Sequence, residues 1–213
     1  MTRRAFKTHI ITRSTPAPKA NYRDYRPDLE TDFECRCAYC NLHRDSITTP
    51  FEIDHFIPKK VFKNICDNLL NDYSNLVYSC KKCNQAKSTK FEGDVTALNP
   101  TNERFYDPAV VDYNTVFYRN KHGCISSDDC KGRKTIVDLK LYRLIHVLGW
   151  ICEQLGQTKD ALEAMIEKEL NLERRELLEK ARDKVACEYC DQERLFKAVY
   201  NDPTFVVVEL EDF

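Results

Sequence analysis

No run of eighteen uncharged apolar residues occurs in these 213 residues, so no membrane-spanning helix is expected. Behind the charged start Met1-Thr-Arg-Arg there is no apolar stretch of the kind a secretory signal needs. No internal repeat and no low-complexity tract interrupts the chain. Net charge is nearly lacking too: 33 basic and 34 acidic residues leave −1 with histidine neutral. What the chain has in quantity is cysteine. There are eleven, an odd number. Without an export signal, that usage points to metal thiolates and buried thiols rather than disulfides. A cytoplasmic protein of one medium domain or two small ones is expected.

The small net charge conceals segregation. Residues 1–27 carry seven basic residues against Asp24, and residues 55–90 carry seven lysines against Asp67 and Asp72. Residues 151–213 reverse the balance, with sixteen acids against nine bases. Phosphate contacts come mostly from Lys and Arg, so the first two stretches suit a polyanionic substrate and the last repels one.

Two CxxC pairs, Cys37-Ala-Tyr-Cys40 and Cys80-Lys-Lys-Cys83, have the ligand count and spacing of a four-thiolate zinc site. Four thiolates close the coordination shell, so such a zinc is structural. Cys35 lies near but outside the preferred spacing. A third pair, Cys187-Glu-Tyr-Cys190, needs two further ligands, for which only the unusually spaced Cys124 and Cys130 offer themselves.

Between the first two pairs, an acid, an imidazole and an amide are the candidates for chemistry: Asp54, His55 and Asn75. Phe51 to Pro58 alternates as a short strand that Pro58 ends. Leu76 to Cys80 is a second strand, and Lys82 to Thr89 a short helix. Alternation points Asp54 and His55 to opposite faces, so both reach one site only if the strand bends or ends there.

Glu52-Ile-Asp54-His55-Phe-Ile-Pro58, Asn75-Leu-Val and Cys80-Lys-Lys-Cys83-Asn84-Gln-Ala-Lys87 resemble the HNH endonuclease motif in its zinc-bearing, two-CxxC form. The resemblance covers about residues 37–90. It implies a ββα-metal finger, a hairpin and a helix with a divalent cation between them. It further implies that His55 is the general base and Asp54 the acidic metal ligand. Asn84 then replaces the final histidine as metal ligand, and Asn75 fixes the loop that orients His55. The residue types suit that chemistry. Asp54 and Asn84 offer oxygen to one Mg²⁺ or Mn²⁺, and an imidazole with an ordinary pKa of about 6.5 accepts a proton near neutrality. Lys59, Lys60 and Lys87 are the candidate contacts to DNA phosphates.

Gly123 and the stretch Gly132-Arg-Lys-Thr-Ile-Val-Asp-Leu-Lys-Leu141 are similar to the segment after the nuclease motif in stand-alone HNH proteins of Septu-type phage defence. In those systems the nuclease works beside an ATPase. The opposing reading is a zinc-finger-type binding module without activity, which would need none of Asp54, His55 and Asn84.

The expected fold is therefore α+β, a zinc-braced ββα-metal module followed by a mostly helical C-terminal region. A basic arm spans 1–34, the nuclease module 35–92 and a connecting segment with a β-hairpin 93–134. In that hairpin, Thr115–Tyr118 and Cys124–Ser126 flank Asn120–Gly123. The helical region spans 135–213. Its clearest helix runs from Thr135 to Leu155, with Val137, Leu141, Leu144, Leu148, Ile151 and Leu155 on one face. Further helices are expected at 159–170, 172–186 and 189–200, with Thr158 and Asn171 as caps, and a last strand at Thr204–Leu210. This acidic region is expected to bind protein, either an ATPase partner or a second copy of the chain. DNA is the expected substrate. No base-reading motif is visible, so nothing in the chain singles out a sequence.

Overall fold

The fold is α+β: among the described residues, antiparallel strand pairs and short helices make up the N-terminal part, and two long helices follow. The computed structural model describes residues 3–202, which fold as two units, one ending at Tyr142 and one beginning at Arg143. The first unit runs β1 (Arg4–Ala5), α1 (Arg26–Asp32), β2 (Glu52–His55), α2 (Lys59–Phe62), β3 (Leu76–Ser79), α3 (Lys81–Lys87), β4 (Tyr118–Arg119), β5 (Ile125–Ser126) and α4 (Cys130–Asp138). The second unit holds α5 (Leu144–Lys168) and α6 (Leu172–Asn201).

β2 and β3 pair antiparallel, with Glu52 opposite Ser79, Asp54 opposite Val77 and His55 opposite Leu76. Ile53 in β2 and Val77 and Tyr78 in β3 are good strand formers, and Pro58, which cannot extend a ladder, stands at the cap of α2. The long connection between the strands packs its own small core of Ile57, Phe62 and Leu69 against Val95. The polypeptide then enters α3 directly after β3. Strand, loop, strand and helix thus follow the expected order within a residue or two.

Residues 3–34 are not an irregular arm. β1 pairs antiparallel with β4, which pairs with β5, giving a second, three-stranded sheet. Behind β1, Phe6 is buried against the Tyr113 and Phe117 rings, with centroids 6.2 and 5.7 Å away. Lys7 exchanges backbone hydrogen bonds with the Asn114 side chain. Arg13 donates to the carbonyls of Tyr73 and Leu76. These partners lie 60 to 107 residues away in sequence, where local periodicity gives no sign of them.

The hairpin of the connecting segment forms with its turn at Asn120–Gly123, Gly123 taking a φ of 81°. α4 follows, capped by Asp129, whose Oδ2 accepts from Gly132 N–H at 2.6 Å. Gly132 is required by packing: a Cβ there would lie 2.8 Å from Ser127 Cβ and 3.0 Å from Val116 Cγ1. Gly132→Ala is therefore expected to lower stability by about 1–3 kcal/mol, the usual cost of overpacking, as read from the urea midpoint. An unchanged midpoint would show that β5 and α4 can move apart freely.

The expected helix over 135–155 does not exist as one piece. α4 ends at Asp138, Lys140 takes a left-handed φ of 54°, and α5 starts at Leu144 after an extended Arg143. The break buries Leu139 and Leu141 completely and sets Asp138 in the fork of Arg104, with bonds of 2.7 and 3.0 Å. Two fully buried leucines are worth about 3–6 kcal/mol, more than the 1–2 kcal/mol cost of one left-handed residue. No Gly or Pro marks the site. The later helices fuse instead. Thr158 lies inside α5 with its hydroxyl returned to Gln154 O, and α6 runs on through residues 187–188. Asn171 does cap α6, accepting from Arg174 N–H at 3.0 Å. Among the described residues no helix is long and apolar enough to cross a membrane. The strand expected at Thr204–Leu210 lies outside the described residues.

Candidate functional site

The cysteine cluster follows from two local devices. After α1, Glu34 and Cys35 adopt left-handed backbone and the chain doubles back, with Cys37 N–H donating to Leu42 O. Ala38 N–H then donates to Tyr78 O at 2.8 Å, fastening this turn to β3. Cys80 caps α3 and Cys83 lies in its first turn. All four thiols are buried, and their sulfur atoms lie within 4.8 Å of one another. Cys40 and Cys80 Sγ are 3.9 Å apart. A disulfide requires about 2.05 Å, whereas a tetrahedron with Zn–S bonds of about 2.3 Å has edges near 3.8 Å. The cluster has the dimensions of a zinc site. Cys35 stays outside it, and Cys187 and Cys190 are exposed on α6.

Lys7 belongs to this cluster, and nothing in the sequence revealed it. Its buried ammonium donates to Ala38 O at 2.6 Å and lies 4.4 Å from the Tyr113 ring centroid. Burial pulls its pKa down to about 8, against the upward pull of Cys37 and Cys40. With zinc bound, the cation would offset the negative charge that four thiolates concentrate.

Beyond the cysteines, β2 presents Glu52 and Asp54 on one face, as strand alternation dictates. α3 lies across that face with Asn84 and Lys87, three residues apart and so on one side of the helix. Asn84 Nδ2 donates to Glu52 Oε2 at 2.6 Å, which leaves the amide oxygen for another partner. Asp54 is buried, and its two oxygens accept from Tyr39 O–H at 2.7 Å and from Lys87 Nζ at 2.9 Å. Burial pushes the carboxyl upward in pKa, and the Lys87 ammonium is the main force restraining it. Burial and the Asp54 charge together hold the Tyr39 phenol protonated, as a donor.

Lys87 is thus not a phosphate contact. Its ammonium is fully buried and spends its hydrogens on Asp54 Oδ1 and on His55 O at 2.8 Å. The helix phase that turns Asn84 toward β2 turns Lys87 there as well. Lys59 and Lys60, on α2, are exposed as expected.

His55 ends β2 and has different neighbours from Asp54. Its Nε2 lies 2.9 Å from Leu70 O, and the ring stands against Tyr22 at 4.8 Å and Phe62 at 5.8 Å between centroids. A carbonyl only accepts, so Nε2 carries the proton and Nδ1 keeps its lone pair. Burial pulls the imidazole pKa down to about 4, the Leu70 carbonyl opposing it and the charges of Lys59 and Lys87 adding to it. The ring is neutral at pH 7. Asn75, also buried, accepts from Ile57 N–H at 2.8 Å and donates to Leu69 O at 3.2 Å, next to the carbonyl that holds His55.

Glu52, Asp54 and Asn84 together supply the hard oxygen donors that Mg²⁺ or Mn²⁺ takes. A carboxylate has about four lone-pair sites, so Asp54 can ligate while keeping both present bonds. The residues fit such an ion, although Lys87 beside Asp54 opposes its charge. Sequence reasoning did not single out Glu52, which strand alternation from Asp54 would have found.

Residues 37–90 match the family model described as HNH endonuclease. Over 109 residues the chain is 30% identical to a Septu protein PtuB from Bacillus thuringiensis. The matched stretch is 51% of this chain and 37% of that relative, so the chain spans little more than a third of the relative's length. No solved structure matches.

Proposed function

We propose, from the HNH domain at residues 37–90, that this chain is a metal-dependent endonuclease hydrolysing DNA phosphodiester bonds in bacterial phage defence. One observation carries the reading: a neutral imidazole at the end of β2, with Nε2–H tied to Leu70 O and Nδ1 left to accept a proton. A positioned ring nitrogen that keeps its lone pair is what a general base requires. The similarity to a Septu protein supports the defence setting, and a cytoplasmic location is part of the proposal.

Asp54 and Asn84, with Glu52 beside them, would hold one Mg²⁺ or Mn²⁺, which supplies charge neutralisation at the phosphate and the leaving oxygen. His55 Nδ1 removes a proton from the attacking water. Asn75 holds the Leu69–Leu70 turn, and through it the orientation of the imidazole. Tyr39 and Lys87 fix Asp54 in place. A zinc ion bound by Cys37, Cys40, Cys80 and Cys83 would clamp the Cys37 turn to the start of α3 and so set the position of Asn84. Lys59 and Lys60 attract the backbone. The test is plasmid DNA incubated with the full chain and Mg²⁺ or Mn²⁺, beside the His55→Ala protein.

One observation favours a silent binding module: Lys87 already neutralises the carboxylate that would take the metal. The same plasmid assay separates the two, since a silent module leaves the DNA intact with either ion.

The second unit is proposed to bind protein, an ATPase partner or a second copy. Its α5–α6 turn carries Leu170 and Leu172, 94% and 76% exposed, on a hairpin rich in acids. Co-purification from the native host and light scattering should recover a partner or a dimer that Leu170→Asp with Leu172→Asp loses. A monomer without a companion would make the hairpin a structural appendage.

A further inference from the structure

The N-terminal segment brings more than Lys7 to the domain. Tyr22 N–H donates to Asn71 Oδ1 at 2.8 Å and Asn71 Nδ2 donates to Ala20 O at 3.0 Å. This two-point clasp pins residues 20–22 to the loop between β2 and β3. Asn21 caps the next turn by accepting from Arg23 N–H, which fixes the directions of Tyr22 and Arg23. The Tyr22 ring then stands edge-on to His55, at 4.8 Å and 68°.

Two cations converge on that ring. Lys59 Nζ lies 3.9 Å from its centroid and the Arg23 guanidinium 5.6 Å. Both also act on the phenol oxygen. Burial raises the Tyr22 pKa, but hydrogen bonding and charge from Lys59 and Arg23 outweigh it and hold the pKa below its ordinary value. Among the described residues neither cation is paired with a carboxylate. Two like charges drawn to one neutral hydroxyl gain only part of what an anion between them would supply, because charge-assisted bonds are about twice as strong as neutral ones. The ring itself offers the weaker cation–π compensation.

We propose that Tyr22, Arg23 and Lys59 form a phosphate subsite directly against His55, which takes a backbone phosphodiester of the nucleic acid. Arg23 and Lys59 bind the non-bridging oxygens, the Tyr22 hydroxyl donates a third bond, and its ring keeps the imidazole packed toward the bound strand. The subsite rests on the nuclease reading and adds a binding role for a segment outside the HNH domain.

The test measures binding of a fluorescein-labelled DNA duplex to the full-length, Mg²⁺-free protein across a salt series. Arg23→Gln and Lys59→Gln should each weaken binding about tenfold and flatten the slope of log K against log salt by about one. Lys184→Gln, on α6, should leave it unchanged. Tyr22→Phe, which keeps the ring, should lose at least threefold in affinity with circular dichroism unaltered. Unchanged salt slopes in both charge variants would overturn the subsite, and full affinity in Tyr22→Phe would remove the hydroxyl from it. If His55→Ala cuts plasmid like the parent, the nuclease reading fails instead. If His55→Ala is inactive and the slopes are unchanged, only the subsite fails.

Discussion

His55→Ala is expected to abolish plasmid cleavage while the fold and the bound zinc persist. A positioned general base contributes about 10²–10⁴ in rate, so the turnover remaining should be at least a hundredfold lower. The residue makes one side-chain hydrogen bond, to Leu70 O, and packs against Tyr22 and Phe62. Its loss therefore leaves the β2–β3 ladder and the cysteines untouched. The pH dependence distinguishes a base from a packing residue. With a pKa near 4, the acid limb of kcat/KM should fall near pH 4 instead of the ordinary 6.5. A bound phosphate beside the ring favours the imidazolium, so the limb of kcat should lie at higher pH than that of kcat/KM.

Stability carries the same signature with a definite sign. The folded pKa is depressed, so between pH 6.5 and about 4 the unfolded chain binds a proton at His55 that the folded one does not. Stability must then fall as the pH is lowered through that window, by up to about 3 kcal/mol. His55→Ala should flatten this part of the curve. Equal acid sensitivity in the two proteins would show that the imidazole is not held neutral by the fold.

The centre of the site was legible because its marks are local. CxxC spacing, strand alternation with a terminating proline, and Asn75 before the apolar Leu76-Val-Tyr78 each act over a few residues, and β2, β3 and α3 formed where they pointed. Lys87 was misjudged by residue type alone. Lysines are mostly exposed, but Asn84 and Lys87 are three apart on α3, so a helix that turns one toward Asp54 buries the other. The N-terminal segment was illegible for a different reason. Phe6, Lys7, Arg13 and Tyr22 find their partners 31 to 107 residues away, and a proline-containing basic stretch with no period looks the same whether docked or free. The break at Lys140 hides likewise, because burying Leu139 and Leu141 decides it and no turn residue announces it.

Cys80→Ser should unfold the domain, not merely weaken it. Zinc analysis of the purified parent is expected to give one ion per chain, at Cys37, Cys40, Cys80 and Cys83, and close to none in the variant. The free energy released on binding a structural zinc is about 10–16 kcal/mol in small zinc domains, as large as the whole stability of an ordinary domain, about 5–15 kcal/mol. Removing one thiolate leaves three sulfurs and the Lys7 ammonium buried with no ion to organise them. The Cys37 turn would then hold to β3 chiefly through Ala38 N–H to Tyr78 O, and α3 would lose the anchor at its first turn. Circular dichroism melts should show the cooperative transition lost or displaced by more than 15 °C, and expression should shift to the insoluble fraction. Cys187→Ser and Cys190→Ser, both on exposed positions of α6, should retain the zinc and the melt. A parent chain without zinc would remove the brace from the fold. Two ions per chain, with one lost in Cys187→Ser, would instead give the third CxxC pair a metal of its own. Exhaustive chelation followed by Mg²⁺ alone separates the two kinds of metal. Cleavage returns if only the oxygen-ligated ion was removed, and stays lost where the thiolate cluster has been emptied, because Mg²⁺ does not take sulfur ligands.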